Sequence, residues 1–167
     1  MQATLRAFLE YSDDLLPVVS RLNDSIIRQT TADRYITFFI ALYNHKTQQL
    51  TYINAGHNPP LLVDPQGKFE ELKTGGIFIG FMPWEYERAT IPFKKGDTLI
   101  MYTDGLVEAI DQEEVEFELN GLKKTVKANL NLPSEKLKEE IINRVNDHIG
   151  ENQLSDDFTL LITRRIE

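Results

Sequence analysis

The stretch Gly96-Asp97-Thr98-Leu99-Ile100-Met101-Tyr102-Thr103-Asp104-Gly105 most limits what this chain can fold into. A Gly-Asp turn followed by Leu, Ile, Met, Tyr and Thr predicts a buried strand, and Gly105 lets the backbone turn sharply behind Asp104. An acid at a strand end projects its carboxylate into a cleft while the strand holds it still. A second acidic element, Ser155-Asp156-Asp157, stands ahead of the apolar run Phe158-Thr159-Leu160-Leu161-Ile162. The two ends are expected to meet.

The rest of the chain supplies the frame for such a meeting. Ala3, Leu5, Ala7, Phe8 and Leu9 have helical character, and Leu15, Leu16, Val18, Val19, Leu22, Ile26 and Ile27 predict an amphipathic helix starting near Ser12 or Asp13. Pro17 falls in its first turn, where a missing N–H is tolerated. Thr30-Thr31-Ala32-Asp33 breaks the pattern. Residues 35–43 and 49–54 then read as a central antiparallel hairpin around the polar connection 44–48. Leu61-Leu62-Val63, the turn Asp64-Pro65-Gln66-Gly67, residues 68–72, the glycine-framed segment 75–80 and residues 86–93 extend this into a β-meander. Leu106 to Ile110 resembles a helical turn, and residues 111–116 form an acidic exposed connection. A last helix begins at Pro133-Ser134-Glu135, with Ser134 as its N-cap, and stops at Gly150. The closing strand runs from Asp157 to Ile166. Helix, helix, many strands, helix, strand excludes an alternating parallel α/β chain and implies an α+β fold, an antiparallel β-sandwich flanked by helices.

Composition narrows the function classes. The chain has 167 residues, 41% of them hydrophobic, enough to close a sizeable core, so 1–167 reads as a single domain. There are no cysteines, which excludes disulfides, thiolate-zinc sites and a cysteine nucleophile. With 26 acids against 18 bases the formal charge is -8, which disfavours nucleic-acid backbones. Neither a membrane-length apolar run nor a charged-then-apolar leader at Met1 is visible, so a cytoplasmic location with no membrane segment is expected.

Four ordered motifs carry a resemblance. Asn54-Ala55-Gly56-His57-Asn58-Pro59-Pro60, Gly76-Ile77-Phe78-Ile79-Gly80, Gly96-Asp97 through Thr103-Asp104-Gly105-Leu106-Val107-Glu108-Ala109, and Ser155-Asp156-Asp157-Phe158-Thr159-Leu160 resemble successive signatures of SpoIIE/RsbU-type bacterial phosphatases, within the PPM (protein phosphatase 2C-like) serine/threonine phosphatases. The resemblance implies an α-β-β-α fold and two Mg2+ or Mn2+ ions. It also implies a phosphorylated protein substrate such as an anti-sigma-factor antagonist, in stress or sporulation-type signalling. Met1 to Ala7 resembles the helix that follows the family's Asp-Val-Ser-Gly-x-Gly metal loop. The family's early Gly-Asp strand and that loop have no counterpart in these residues, so the chain resembles the C-terminal portion of such a domain. By the resemblance, Asp104, Asp156 and Asp157 are the metal-ligating acids that remain, with Gly105 as backbone support, and the metal-bridging aspartate is missing.

The chemistry explains the acids. Phosphate-monoester hydrolysis is very slow uncatalysed, and paired divalent ions activate water and neutralise the phosphoryl oxygens. Such hard cations take oxygen ligands. Without a cation, two carboxylates about 4 Å apart repel by about 4 kcal/mol at an effective dielectric near 20.

Plainer readings stand beside these. A Thr-Asp-Gly alone is usually a turn, and Asp157 is either a ligand or a turn cap. His57 is a proton donor or, by preference, part of a structural loop; His45 and His148 have nothing to recommend them. Phe81 and Trp84 beside Pro83 are either core cover or an exposed contact surface. Ser12, Ser20, Ser25, Ser134 and Ser155 lack a nucleophile elbow. Two functions follow: a metal-dependent protein serine/threonine phosphatase, impaired in this fragment, or a non-catalytic regulatory or protein-binding pseudophosphatase domain. An open sheet edge also allows a homodimer.

Overall fold

The computed structural model describes residues 2–9, 14–29, 35–152, 154 and 156–166. In chain order the elements are α1 (Gln2–Leu9), α2 (Leu15–Gln29), β1 (Phe38–Asn44), β2 (Gln49–Ala55), β3 (Leu61–Val63), β4 (Phe69–Glu71), β5 (Gly75–Gly76), β6 (Ala89–Pro92), β7 (Thr98–Tyr102), α3 (Asp104–Val107), α4 (Glu118–Ala128), α5 (Ser134–Ile149) and β8 (Leu160–Arg164). The start of α2 expected near Ser12 or Asp13, the break at Thr30 to Asp33, and Ser155 lie outside the described residues. No described helix is long and apolar enough to cross a membrane. The chain groups into two compact units, one of Met1–Pro59 with Leu72–Lys94, the other of Pro60–Glu71 with Lys95–Glu167.

In the first unit β2 is the central strand. β1 pairs antiparallel along one edge, from Phe38 opposite Ala55 to Asn44 opposite Gln49. The other edge is shared: β6 pairs antiparallel with Gln49 to Tyr52, and β5 pairs parallel with Asn54 and Ala55. Of the hairpin expected to be central, β2 is central and β1 lies at an edge of its sheet, with residues 41–44 exposed. The spacing of three and four along α2 buries Leu15, Val18, Val19, Leu22 and Ile26, and Pro17 sits within its first turn. Leu15, Val19, Leu22 and Ile26 pack with Ile53, Ala55, Ile79 and Tyr86.

In the second unit the strand order is β4-β3-β7-β8, all antiparallel. Turn chemistry fixes the β3–β4 hairpin: the Asp64 carboxylate accepts the N–H groups of Gln66 and Lys68, at 2.9 Å each. Ile100 and Tyr102 of β7 pack with Leu106 of α3, Leu122 and Val126 of α4, and Leu137, Ile141 and Val145 of α5. Truncating a fully buried Ile141 to alanine costs about 2–5 kcal/mol by analogy with other cores.

Three local expectations are corrected. The strands from 61 to 93 are not a meander: the β3–β4 hairpin joins one sheet, and the chain then returns β5 and β6 to the other. Turn residues specify a reversal, whereas the sheet a hairpin joins is set by distant pairing partners. Ser134 is the first residue of α5 rather than its cap; Pro133 holds the cap position with no side-chain bond, and its carbonyl accepts the Leu137 N–H at 2.9 Å. The stretch after residue 116, left without an element by the sequence, holds α4, with Leu122, Thr125 and Val126 buried. Gly121 and the cluster Lys123-Lys124 blur its apolar stripe.

Candidate functional site

Asp104 is the first residue of α3, one step beyond β7 and its Thr103 cap position. Its carbonyl accepts the Glu108 N–H at 2.9 Å, so the strand converts at once into a helical turn. Its carboxylate is exposed and its Oδ1 accepts the Gly105 N–H at 3.0 Å. On the neighbouring segment Asp156 makes a matching local bond, its Oδ1 accepting the Asp157 N–H at 2.8 Å. The Asp156 carboxylate therefore shapes this turn. Both residues are exposed.

The two segments meet through backbone. Antiparallel pairing of β7 with β8 ends at Tyr102 opposite Leu160 and is prolonged by Thr103. The Thr103 N–H donates to the Thr159 carbonyl at 3.1 Å, and the Thr159 N–H donates to Thr103 Oγ1 at 2.8 Å. Gly105 then comes against the acidic pair: a Cβ at this position would lie 2.9 Å from the Asp157 carbonyl oxygen and 3.3 Å from that of Asp156. Only a residue without a side chain permits this approach. Thr103 was not among the sequence candidates; its partner lies 56 positions away, so no local pattern marks it.

The donor chemistry suits a hard divalent cation, since all three side chains are carboxylates. In placement the set falls short. Among the described residues no group of three or more His, Cys, Asp or Glu side chains is placed to hold a metal ion. A groove of about 670 Å3 in the same unit lies along α4 and α5, lined by Phe117, Thr125, Arg144 and His148 among others, and none of the three acids lines it.

The histidines divide as follows. The His57 N–H donates to the carboxamide oxygen of Asn54 at 2.8 Å, and the Asn54 amide donates to the Leu72 carbonyl at 3.0 Å. Buried Asn54 thus organises the Asn-Ala-Gly-His loop, a role its sequence motif did not single out. His148 is half-buried: its ring packs against Phe117 at 5.5 Å, and Nε2 lies 3.0 Å from the Val115 carbonyl. His45 stays exposed in the β1–β2 turn.

Comparison with known proteins gives this geometry its class. The structure resembles the PP2C phosphatase domain of SpoIIE, solved with a fragment of its regulatory domain, from Bacillus subtilis, with a TM-score of 0.79 at 20% identity over 97% of this chain and 47% of that one. It also resembles the SiaA-PP2C domain of Pseudomonas aeruginosa, with a TM-score of 0.82 at 18% identity over 99% and 66%. The fold is therefore the α+β PP2C, or PPM, phosphatase fold. The family model for Stage II sporulation protein E (SpoIIE) matches residues 1–166, and the chain belongs to that family. Phosphoserine phosphatase RsbU of Bacillus subtilis (strain 168) is 27% identical over 173 residues, covering 98% of this chain and 51% of RsbU. The chain spans about half the length of the curated relatives it matches, or less.

Proposed function

We propose that these 167 residues are part of one metal-dependent protein serine/threonine phosphatase domain, with Asp104 and Asp156 as metal-ligating acids. Asp157 either joins them or serves the turn. The observation that supports this most is the contact of Gly105 with the Asp156-Asp157 backbone, which brings the two acidic strand ends together. Bound Mg2+ or Mn2+ would supply water activation and neutralisation of phosphoryl charge. The chain's own residues hold the acids: Thr103 fastens the segments, and β7 keeps Asp104 at a fixed strand end. The substrate class is a phosphorylated regulatory protein, by analogy with the phosphoserine phosphatase RsbU, and an anti-sigma-factor antagonist fits that class. A cytoplasmic setting belongs to the same reading. So does a homodimer through an open strand edge, which light scattering tests.

That no such group converges among the described residues favours low activity for this chain by itself, since Mg2+ binds proteins weakly unless several oxygen ligands converge. The same observation supports the second reading, a non-catalytic regulatory domain. The test compares Mn2+-dependent phosphate release from a phosphoserine peptide by the 167-residue chain and by the full-length gene product, each with and without Asp104→Asn. Poor turnover by the short chain, robust turnover by the full-length protein, and loss of at least about a hundredfold in the variant are expected, since even supporting groups around metals are worth about 10–100-fold. Near-normal turnover of the variant overturns the ligand role. An inactive full-length protein establishes the second reading.

A further inference from the structure

The first unit carries a patch of large apolar side chains on a loop that is held rather than loose. Phe81, Met82 and Trp84 are 49%, 44% and 43% exposed, and Tyr35 beside them is 56% exposed. The Tyr35 ring meets Phe78 at a centroid distance of 4.2 Å, and Phe78 meets Phe81 at 5.1 Å, so these three rings form one connected cluster, with Met82 and Trp84 following on the same segment. The backbone beneath is fastened at several points. Buried Asn23 of α2 accepts the Gly80 N–H at 2.8 Å and donates to the Met82 carbonyl at 3.0 Å. Ile36 and Ile79 exchange two backbone bonds of 2.9 Å, and the Glu87 N–H donates to the Gly75 carbonyl at 2.9 Å. The Trp84 indole lies so close over Gly76 that a Cβ there would stand 2.5 Å from Nε1.

An exposed apolar cluster on a preorganised backbone is what a binding surface needs, because little side-chain or loop entropy is lost on association. Aromatic and methionine side chains are also the types enriched at interfaces. The charge carried by the same segment favours one kind of partner. Glu85 and Glu87 are exposed on the same segment, whereas the cation that follows, Arg88, is paired with Asp14. Two copies meeting through this segment would add like charge to like charge in one interface. An anionic lipid surface is disfavoured for the same reason. A cationic partner is favoured on both counts, gaining steering from the carboxylates and a cation–π contact on Trp84.

We propose that Phe78, Phe81, Met82 and Trp84, with Glu85 and Glu87, form a docking surface for a polypeptide segment that combines apolar anchors with Lys or Arg. The surface does not depend on the acidic strand ends and stands whether or not they bind metal. Trp84 is the chain's one tryptophan, so its emission reads the patch directly. The test titrates the 167-residue chain with a synthetic dodecapeptide of Lys, Leu and Phe, and with its counterpart carrying Glu for Lys. A saturable blue shift with the basic peptide alone is expected. In Phe81→Ser and Met82→Ser the dissociation constant rises at least about tenfold, as for interface anchors generally. Glu85→Gln with Glu87→Gln, a surface change that leaves the fold intact by circular dichroism, weakens binding several-fold and flattens its salt dependence. The proposal is overturned by an unchanged emission with the basic peptide, by equal binding of the Glu peptide, or by undiminished binding in the variants. A blue shift on raising protein concentration alone, or with phosphatidylserine vesicles alone, assigns the patch to a second copy or a membrane and overturns it equally.

Discussion

Gly105 shows how much one absent side chain decides. The sequence marks it as a turn residue behind an acid, and that much is local steric reasoning. Its other property, contact with the Asp156 and Asp157 carbonyls, depends on a segment about fifty residues further on. Gly105→Ala would place a methyl 2.9 Å from the Asp157 oxygen, forcing the two acidic segments apart. A loss of stability of about 1–3 kcal/mol is expected, and the proposed phosphatase role predicts a fall in Mn2+-dependent turnover with it. Urea unfolding checks the first and phosphopeptide hydrolysis the second; an alanine variant unchanged in both removes the closeness of these segments from the account. Asn54 and Asn23 teach the same lesson. Each is a buried amide that reaches a partner 18 or more positions away, Leu72 for Asn54 and Gly80 for Asn23, and neither stands out in the sequence.

At the level of elements, Arg164 of β8 joins parts that the sequence treats separately. Its Nε donates to Thr98 Oγ1 on β7 at 2.8 Å, Nη2 donates to the Leu130 carbonyl at 2.8 Å, and Nη1 donates to the Leu132 carbonyl. One planar fork thus ties two strands to the connection between α4 and α5. Arg164→Lys keeps the charge but not the fork, leaving backbone carbonyls unmet. A destabilisation of about 1–3 kcal/mol is expected, with faster hydrogen exchange over residues 129–133. Unchanged unfolding midpoints would remove the clamp from the account. Most elements were legible from period and turn chemistry: both long amphipathic helices, the β1–β2 hairpin and β7 lie where the residues place them. α4 was not, because a glycine and adjacent lysines dilute its apolar stripe, and burial of Leu122 and Val126 supplies what propensity does not.

Across the whole molecule, Tyr86 in one unit and Tyr102 in the other link stability to pH. Burial pushes the Tyr86 hydroxyl up to about 12, and burial followed by the nearby Glu71 charge does the same for Tyr102, against an ordinary value of 10.0. Both groups are acids whose folded-state value is raised, so their contribution is fully present below pH 10 and is lost as pH climbs toward 12. Thermal midpoints are expected to be insensitive to these groups from pH 8 to 10 and to fall steeply from 10 to 12. Among the described residues the Tyr86 hydroxyl has no hydrogen-bond partner. Tyr86→Phe is accordingly neutral or stabilising at pH 8 and makes the alkaline fall shallower. Absorbance titration of the folded protein with both tyrosines ionising near 10 would contradict this.

The sequence by itself determined the family signatures, the strand ending at Asp104, the periodicity of α2 and α5, and the turns at Asp64 and Gly96. These rest on interactions within a few residues, which local order contains in full. Only the tertiary structure decided that β3–β4 and β5–β6 part company into different sheets and that β1 is an edge. It also decided that Phe81 and Trp84 face solvent and that Thr103 and Gly105 bind the two acidic ends together. Those outcomes depend on pairings between residues tens of positions apart, and such partners are chosen by fit across the assembled core rather than by neighbouring residues.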